Sequence, residues 1–357
     1  MTSTRALTRW TARATSVLAI ALCASASALA HEHDRGVLVL TSTNGSSANN
    51  VVVFKLDNAG KPSLPLAAIV PTGAAGGASG SAGILQFKDD LGVVANYGSN
   101  TLTRLARHGD FVNLAGTVKL ASGCQGPDSV SLANDHVFAV GTNCAESHRW
   151  PSGAVDRVVK LTDASAAQIV VGRTWSAVTL KSGSVLQLPL ARDGGLNGTM
   201  TPVALPDTAN NTPLGADFWG DVLGFTPAHS PDSFALVNAG RDVFPVVGPT
   251  PPFPANAPCW VAKGPGNVWY TGNSPGQAIS IFFSDDRGGV FYKSVPLPGT
   301  PTDITVSADN KLLAVIYSAA NNAYVAVYSI DSYGDLAPVA TSSPIGVATF
   351  SGVAISQ

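Results

Sequence analysis

The sequence predicts an all-β fold, a seven-bladed β-propeller closed by the C-terminal strand joining the N-terminal blade. Three observations carry that prediction. Short alternating or apolar runs recur along the whole chain, separated by Asn-, Gly-, Asp- and Pro-rich turns. One four-stranded unit recurs seven times. The chain after its leader opens on the second strand of a unit (Val37 to Thr41) and ends on a lone first strand (Gly352 to Ser356). Composition agrees: 36 Gly and 24 Pro mark a turn-rich chain. Only two glutamates, Glu32 and Glu146, are present, few for a helical protein.

The clearest repeat copies are Leu91 to Leu102 (LGVVANYGSNTL), Val268 to Ser274 (VWYTGNS) and Leu312 to Ser318 (LLAVIYS), with related openings near Gly36, His136, Thr174 and Asp221. They lie roughly 37 to 55 residues apart, the period of a four-stranded propeller blade. Such units cannot bury their own faces, and closing them into a ring removes exposed edges. The orphan C-terminal strand is expected to complete the first blade.

Residues 1–30 read as a secretory signal peptide. Arg5, Arg9 and Arg13 precede the short apolar run Val17 to Cys23, and Ala28-Leu29-Ala30 is a small-residue cleavage site. The apolar run is too short to span a bilayer, and Leu22 is too bulky before Cys23 for a lipoprotein signal. Residues 31–357 form the propeller domain, expected to be secreted or periplasmic, monomeric and without an integral membrane segment. Removing the leader leaves 18 Lys+Arg against 23 Asp+Glu, a net charge of about −5. No basic stripe is present, which argues against a nucleic-acid partner.

Three cysteines survive processing. An oxidising compartment allows a disulfide; Cys124 and Cys144, both read as lying in Gly/Asn-flanked loops, are paired, and Cys259 in an apolar run is left as a free thiol.

The innermost strands align as Ile84–Phe87, Ser129–Leu132, Gln168–Val171, Gly215–Phe218, Trp260–Ala262 and Asp303–Val306. Alternate residues of a strand point to opposite faces. Leu85/Phe87, Val130/Leu132, Ile169/Val171, Ala216/Phe218 and Ile304/Val306 are uniformly apolar and belong in the blade sandwich. Gln86, Ser129, Ser131, Gln168, Asp217, Trp260, Asp303 and Thr305 belong to the central channel. One face of the ring collects the loops Thr72 to Gly83, Cys124 to Asp128 and Gly248 to Pro258, the loop holding His229, and an insertion in the third repeat carrying Cys144 to Trp150. Asp128, Glu146, His148, Arg149 and His229 are expected around that mouth.

Glu146-Ser147-His148-Arg149 is the densest chemical cluster. His148 as general base and Arg149 as oxyanion partner could open a lactone with Glu146 beside them, although a solvated loop accounts for the same residues. Asp217 and Asp303 could join the catalytic set as channel carboxylates with raised pKa, serving as bases or positioning water or substrate, or be aspartates that fix an inner strand by hydrogen bonding. Gln168, Trp260, Ser129, Asp128 and His229 complete the expected ligand-binding set. Zinc-site spacings, a G-x-S-x-G turn and a phosphate-binding loop are missing from the sequence. If cleavage follows Ala30, the mature chain begins His31-Glu32-His33. Its amine, two amides and the His33 imidazole make a square-planar set suited to Cu(II) or Ni(II).

The chain resembles the lactonase-type seven-bladed propellers, the 6-phosphogluconolactonase and carboxymuconate cyclase group, related to surface propellers with YVTN-like repeats. The matching residues are Val70-Pro71-Thr72-Gly73 with the following Gly/Ser loop, Asn256 to Ala262 (NAPCWVA), and the blade openings with Asn96 and Asn273. The resemblance covers the mature chain. It implies a lactone hydrolase or lactonising enzyme with no obligatory metal or other cofactor, acting on a small organic or sugar lactone. A non-catalytic propeller that binds a ligand, polysaccharide or protein on the same face is the second reading.

Overall fold

Runs such as Val37 to Leu40, Val51 to Phe54 and Leu312 to Tyr317 are β-branched or aliphatic and too short for stable helices, so they pair as strands. The computed structural model describes residues 35–58, 61–205, 211–229, 234–238, 242–243, 257–285, 288–346 and 349–357. The proposed leader, the His31-Glu32-His33 motif and most of the Gly248 to Pro258 loop lie outside these residues. Among the described residues, strands β1–β28 in chain order form seven four-stranded antiparallel sheets. No helix among them is long and apolar enough to cross a membrane.

The inner strands are β28 (Ser351–Ser356), β4 (Leu85–Lys88), β8 (Ser129–Ala133), β12 (Ala166–Val171), β16 (Pro213–Trp219), β20 (Pro258–Lys263) and β24 (Thr300–Val306). Each touches the next, and β24 returns to β28, which closes the ring. The second strands are β1 (Val37–Ser42), β5 (Leu91–Asn96), β9 (His136–Val140), β13 (Trp175–Leu180), β17 (Val222–Pro227), β21 (Val268–Asn273) and β25 (Leu312–Ala319). They begin at the seven repeat openings expected from the sequence.

Closure is as expected. β28 pairs antiparallel with β1, Leu38 opposite Ser356 and Leu40 opposite Ala354. The Thr41 hydroxyl adds a 2.7 Å bond to the Gly352 carbonyl. Each of the seven interfaces between successive blades has its own buried apolar cluster, from Leu38, Leu40, Leu85 and Val94 between blades one and two to Val39, Phe54, Ile316 and Val353 between blades seven and one. Burying each such side chain is worth about 1.5–3 kcal/mol, so each blade draws stability from both of its neighbours. The predicted apolar inner-strand positions all fall in or against these clusters.

One expectation fails here. Cys144 to Arg149 is not a loop insertion but β10 (Cys144–Arg149), the third strand of blade three, paired with β9 and with β11 (Val155–Lys160). Its first end adjoins the face that holds Cys124; its last end lies on the opposite face. The turn from β8 to β9 is Asn134-Asp135, both at positive φ (50° and 58°). Asn and Asp tolerate that conformation in a tight hairpin.

Candidate functional site

The axial channel is a pit of about 570 Å³, and its lining follows from strand alternation. Polar walls come from Gln86, Ser131, Gln168, Asp217, Asp303 and Thr305, each on a different inner strand except the last two. Lys88, Asp89, Lys263, Ala308 and Gln357, at the far ends of inner strands, rim the opening.

The floor is the end of the Gly-rich loop. Ser81, Ala82 and Gly83 are buried and stitched to four inner strands. The Ala82 N–H donates to the Ala167 carbonyl (3.2 Å), the Trp260 indole donates to the Ser81 carbonyl (3.3 Å), and the Val130 N–H donates to the Gly83 carbonyl (2.9 Å). The Gly83 N–H donates to Asp303 Oδ2 (3.3 Å). Gly83 has φ +66°, and a Cβ there would stand 3.1 Å from Gln168 Nε2 and 3.3 Å from Gln86 Nε2. Only glycine serves at that point.

The pit therefore opens on the face opposite the one expected. The predicted mouth, with the Thr72 to Gly83 and Cys124 to Asp128 loops, is the plugged side.

Both channel aspartates use one device. Asp217 accepts the N–H groups of Phe218 (2.7 Å) and of Lys263 on the next blade (2.8 Å). Asp303 accepts the N–H groups of Ile304 (2.9 Å) and Gly83. Burial nonetheless dominates. It pushes Asp303 up to about 7 against the pull of its backbone donors, and raises Asp217 likewise. Lys263 is drawn down to about 8 by burial, with the Asp217 charge opposing. Its ammonium donates to the Gly264 and Gly266 carbonyls (2.7 Å each) and stands over the rings of Trp219 and Trp269. A carboxyl titrating near neutrality, a second raised carboxyl, two side-chain amides and a lysine thus share one water-accessible cavity.

The remaining expected residues are placed elsewhere. Glu146 and His148 are fully buried on β10, away from the channel wall, and bond each other at 2.8 Å. Glu146 also accepts the Ala121 N–H (3.0 Å), and His148 Nδ1 lies 3.2 Å from the Gly153 carbonyl. Arg149 is exposed on the face opposite Cys124, paired with Asp193 (2.8 Å) and Asp156 (3.4 Å). Asp128 stays on the plugged face, 3.8 Å from Lys181, its carboxyl raised to about 6 by burial. His229 is exposed there beside Thr212. Ser129 and Trp260 hold the floor rather than line the pit: Ser129 Oγ accepts the Ile169 N–H (3.2 Å), and the Trp260 indole packs with Ala82.

The Cys124–Cys144 disulfide is present, spanning 20 residues with Cα atoms 5.7 Å apart. Cys259 is free, and burial raises its thiol to about 11. Lys263 had no sequence signal, since a lysine at a strand end is ordinary. Gly83 could have been flagged as the last glycine before a channel-lining strand.

No protein-family model matches the chain, and no curated protein does. Solved structures match its fold. A periplasmic gluconolactonase from Pseudomonas aeruginosa aligns over 90% of this chain and 99% of its own, with TM-score 0.65 and 15% identity. A Bacteroides fragilis protein provisionally named a 6-phosphogluconolactonase covers 91% and 99%, with TM-score 0.64 and 13% identity. Virginiamycin B lyase from Staphylococcus aureus covers 79% and 92%, with TM-score 0.55 and 14% identity. The fold is thus the seven-bladed propeller, and it is the fold alone that these structures share with the chain.

Proposed function

We propose that the protein is a lactonase-like hydrolase that opens a small polar lactone in the axial pit, outside the cytoplasm. The observation that carries this reading is the pairing of Asp303, titrating near 7, with the raised Asp217 carboxyl in one blind polar cavity. Above its pKa, Asp303 takes a proton from water as the water oxygen bonds to the lactone carbonyl carbon. Charge builds on the carbonyl oxygen, where the Gln168 and Gln86 amides are the available donors. Collapse breaks the ring C–O bond, and the departing oxygen recovers the proton from Asp303, giving the hydroxy acid. The fold shared with a periplasmic gluconolactonase supports the class of reaction, and the disulfide suits an exported protein.

A binding-only propeller is the second reading. It is favoured by the backbone N–H groups that both aspartates already accept, a structural employment for the same carboxylates.

A panel of sugar and aliphatic lactones, assayed with wild type and Asp303→Asn, separates the two. Loss of a general base should lower kcat per folded molecule by roughly 100-fold or more. Rates rising with pH through about 7 are expected for wild type. Turnover equal in both proteins, or turnover of no lactone, overturns the hydrolase reading.

A further inference from the structure

His136 begins β9 and is 4% exposed. The Asn134 carbonyl of the preceding hairpin turn lies 2.7 Å from its Nδ1, so Nδ1 carries the proton as donor and the Nε2 lone pair is left free. Among the described residues, Nε2 is buried with no hydrogen-bond partner. It aims at Asp156 Oδ2, 3.8 Å away, too far for a hydrogen bond. A third group, the Asp193 carboxylate from the loop after the third strand of blade four, completes a set. One ligand atom from each of the three lies within 4.8 Å of the others.

We propose that His136, Asp156 and Asp193 bind a divalent first-row transition-metal ion that clasps blade three to blade four. One imidazole nitrogen with two carboxylate oxygens is a donor set for zinc and its neighbours rather than for calcium or magnesium. The histidine has the orienting partner such ligands have, a carbonyl on the other ring nitrogen. Two ligands on a tetrahedral ion with bonds of about 2.0 Å stand about 3.3 Å apart, so the 3.8 Å separation needs only a small inward adjustment.

Space has been kept for an ion. A Cβ on Gly195 would collide with Asp156 Oδ2 and stand 3.1 Å from His136 Nε2 and 3.2 Å from Ser147 Oγ. The loop is tied down beside it by the Leu196 N–H, which donates to Ser147 Oγ (3.1 Å). Arg149 is the cation to be reckoned with. It holds Asp193 Oδ2 and Asp156 Oδ1, while Asp193 Oδ1 accepts a long bond from the Gly195 N–H (3.4 Å). Asp156 Oδ2 is left facing the imidazole, with a weak bond from Ser147 Oγ (3.4 Å). The guanidinium thus orients both carboxylates and cancels one of their two charges. Asp193 lies in a surface groove lined also by Asn134, Asp135, Leu190 and two further cations, Arg173 and Arg192.

The test is zinc titration of the chelator-treated full chain, followed by calorimetry and thermal melting. His31→Ala and His33→Ala are included throughout so that the N-terminal imidazoles do not compete. One equivalent should bind and raise Tm, and cobalt should give a visible absorption band of a nitrogen- and oxygen-ligated ion. His136→Ala and Asp156→Asn should each weaken binding by roughly tenfold or more, the cost of losing even an outer-shell partner being about that size. Asp193→Asn alters an exposed side chain and keeps the question open to answer if the buried variants fold poorly; it should weaken binding with an unchanged metal-free Tm. Zinc affinity and Tm shift equal in wild type and Asp193→Asn, or no zinc-dependent shift at millimolar metal, overturns the site.

Discussion

Two regions of this molecule hold an acid close to other functional groups, and they differ in what surrounds the charge. In the axial pit, Asp217 and Asp303 face a cavity, and their partners are backbone N–H groups. In blade three, Glu146 meets His148 inside a packed strand, with the Ala121 N–H and the disulfide against it. The first arrangement leaves a carboxyl reachable by a small molecule. The second spends both groups on each other and on holding the incoming loop. Nearness of an acid and an imidazole in the sequence is therefore a poor guide to reactivity; what the backbone makes accessible decides it.

That contrast breaks most sharply at the buried pair. Glu146→Ala leaves the His148 ring nitrogen and the Ala121 N–H buried without their partner and should cost about 1–3 kcal/mol for each in urea unfolding, while lactone turnover per folded molecule stays at the wild-type value. A loss below about 1 kcal/mol joined to a loss of turnover would move the chemistry back to blade three. The disulfide beside the pair should matter less. Replacing Cys124 and Cys144 together with alanine frees a 20-residue separation, for which about 3 kcal/mol is expected, again with the pit's activity unchanged. Within the pit, Gly83→Ala forces a left-handed conformation on a residue with a side chain, at about 1–2 kcal/mol. It also pushes a methyl group toward Gln168 and Gln86. Here stability and ligand affinity should fall together, which neither blade-three substitution should do.

The ring and its closing strand were legible in the blade openings repeated along the chain, and the two faces of each inner strand in a period of two that survives in the sequence. Val353 and Ile355 pack between blades seven and one while Ala354 faces the first blade's other neighbour. β10 was not legible. Cys144-Ala145-Glu146-Ser147-His148-Arg149 shows no apolar alternation, since its polar side chains are buried by pairing with Ala121, Gly153, Asp156 and Leu196, and none of those pairings is written locally. The plugged end of the channel was hidden for the same reason. Ser81 to Gly83 reads as a flexible glycine-rich turn until Asp303, 220 positions away, and Trp260, 179 positions from Ser81, supply its bonds. Aspartates on inner strands were visible as channel groups; which mouth they open to was not.

A further probe of the contrast is the pH dependence of stability. Asp303 titrates near 7 in the folded chain and near 3.8 when unfolded. Between those values the folded state holds the proton more tightly. Stability from this group is therefore greatest below about pH 4, declines as pH rises toward 7, and is level above it. Asp217 and Asp128, both raised by burial, act in the same direction. Asp163 and Asp221, both lowered, act in the opposite direction only as pH falls through and below the ordinary aspartate value. Lys263, drawn down to about 8, has its effect above that pH. Wild type minus Asp303→Asn, measured by chemical unfolding at pH 4, 5, 6, 7 and 8, isolates the one group. The difference should favour wild type progressively less from pH 4 to 7 and then flatten. A flat difference across the whole range would mean that Asp303 ionises as an ordinary carboxylate, and the pit would lose the neutral-range base on which its proposed chemistry depends.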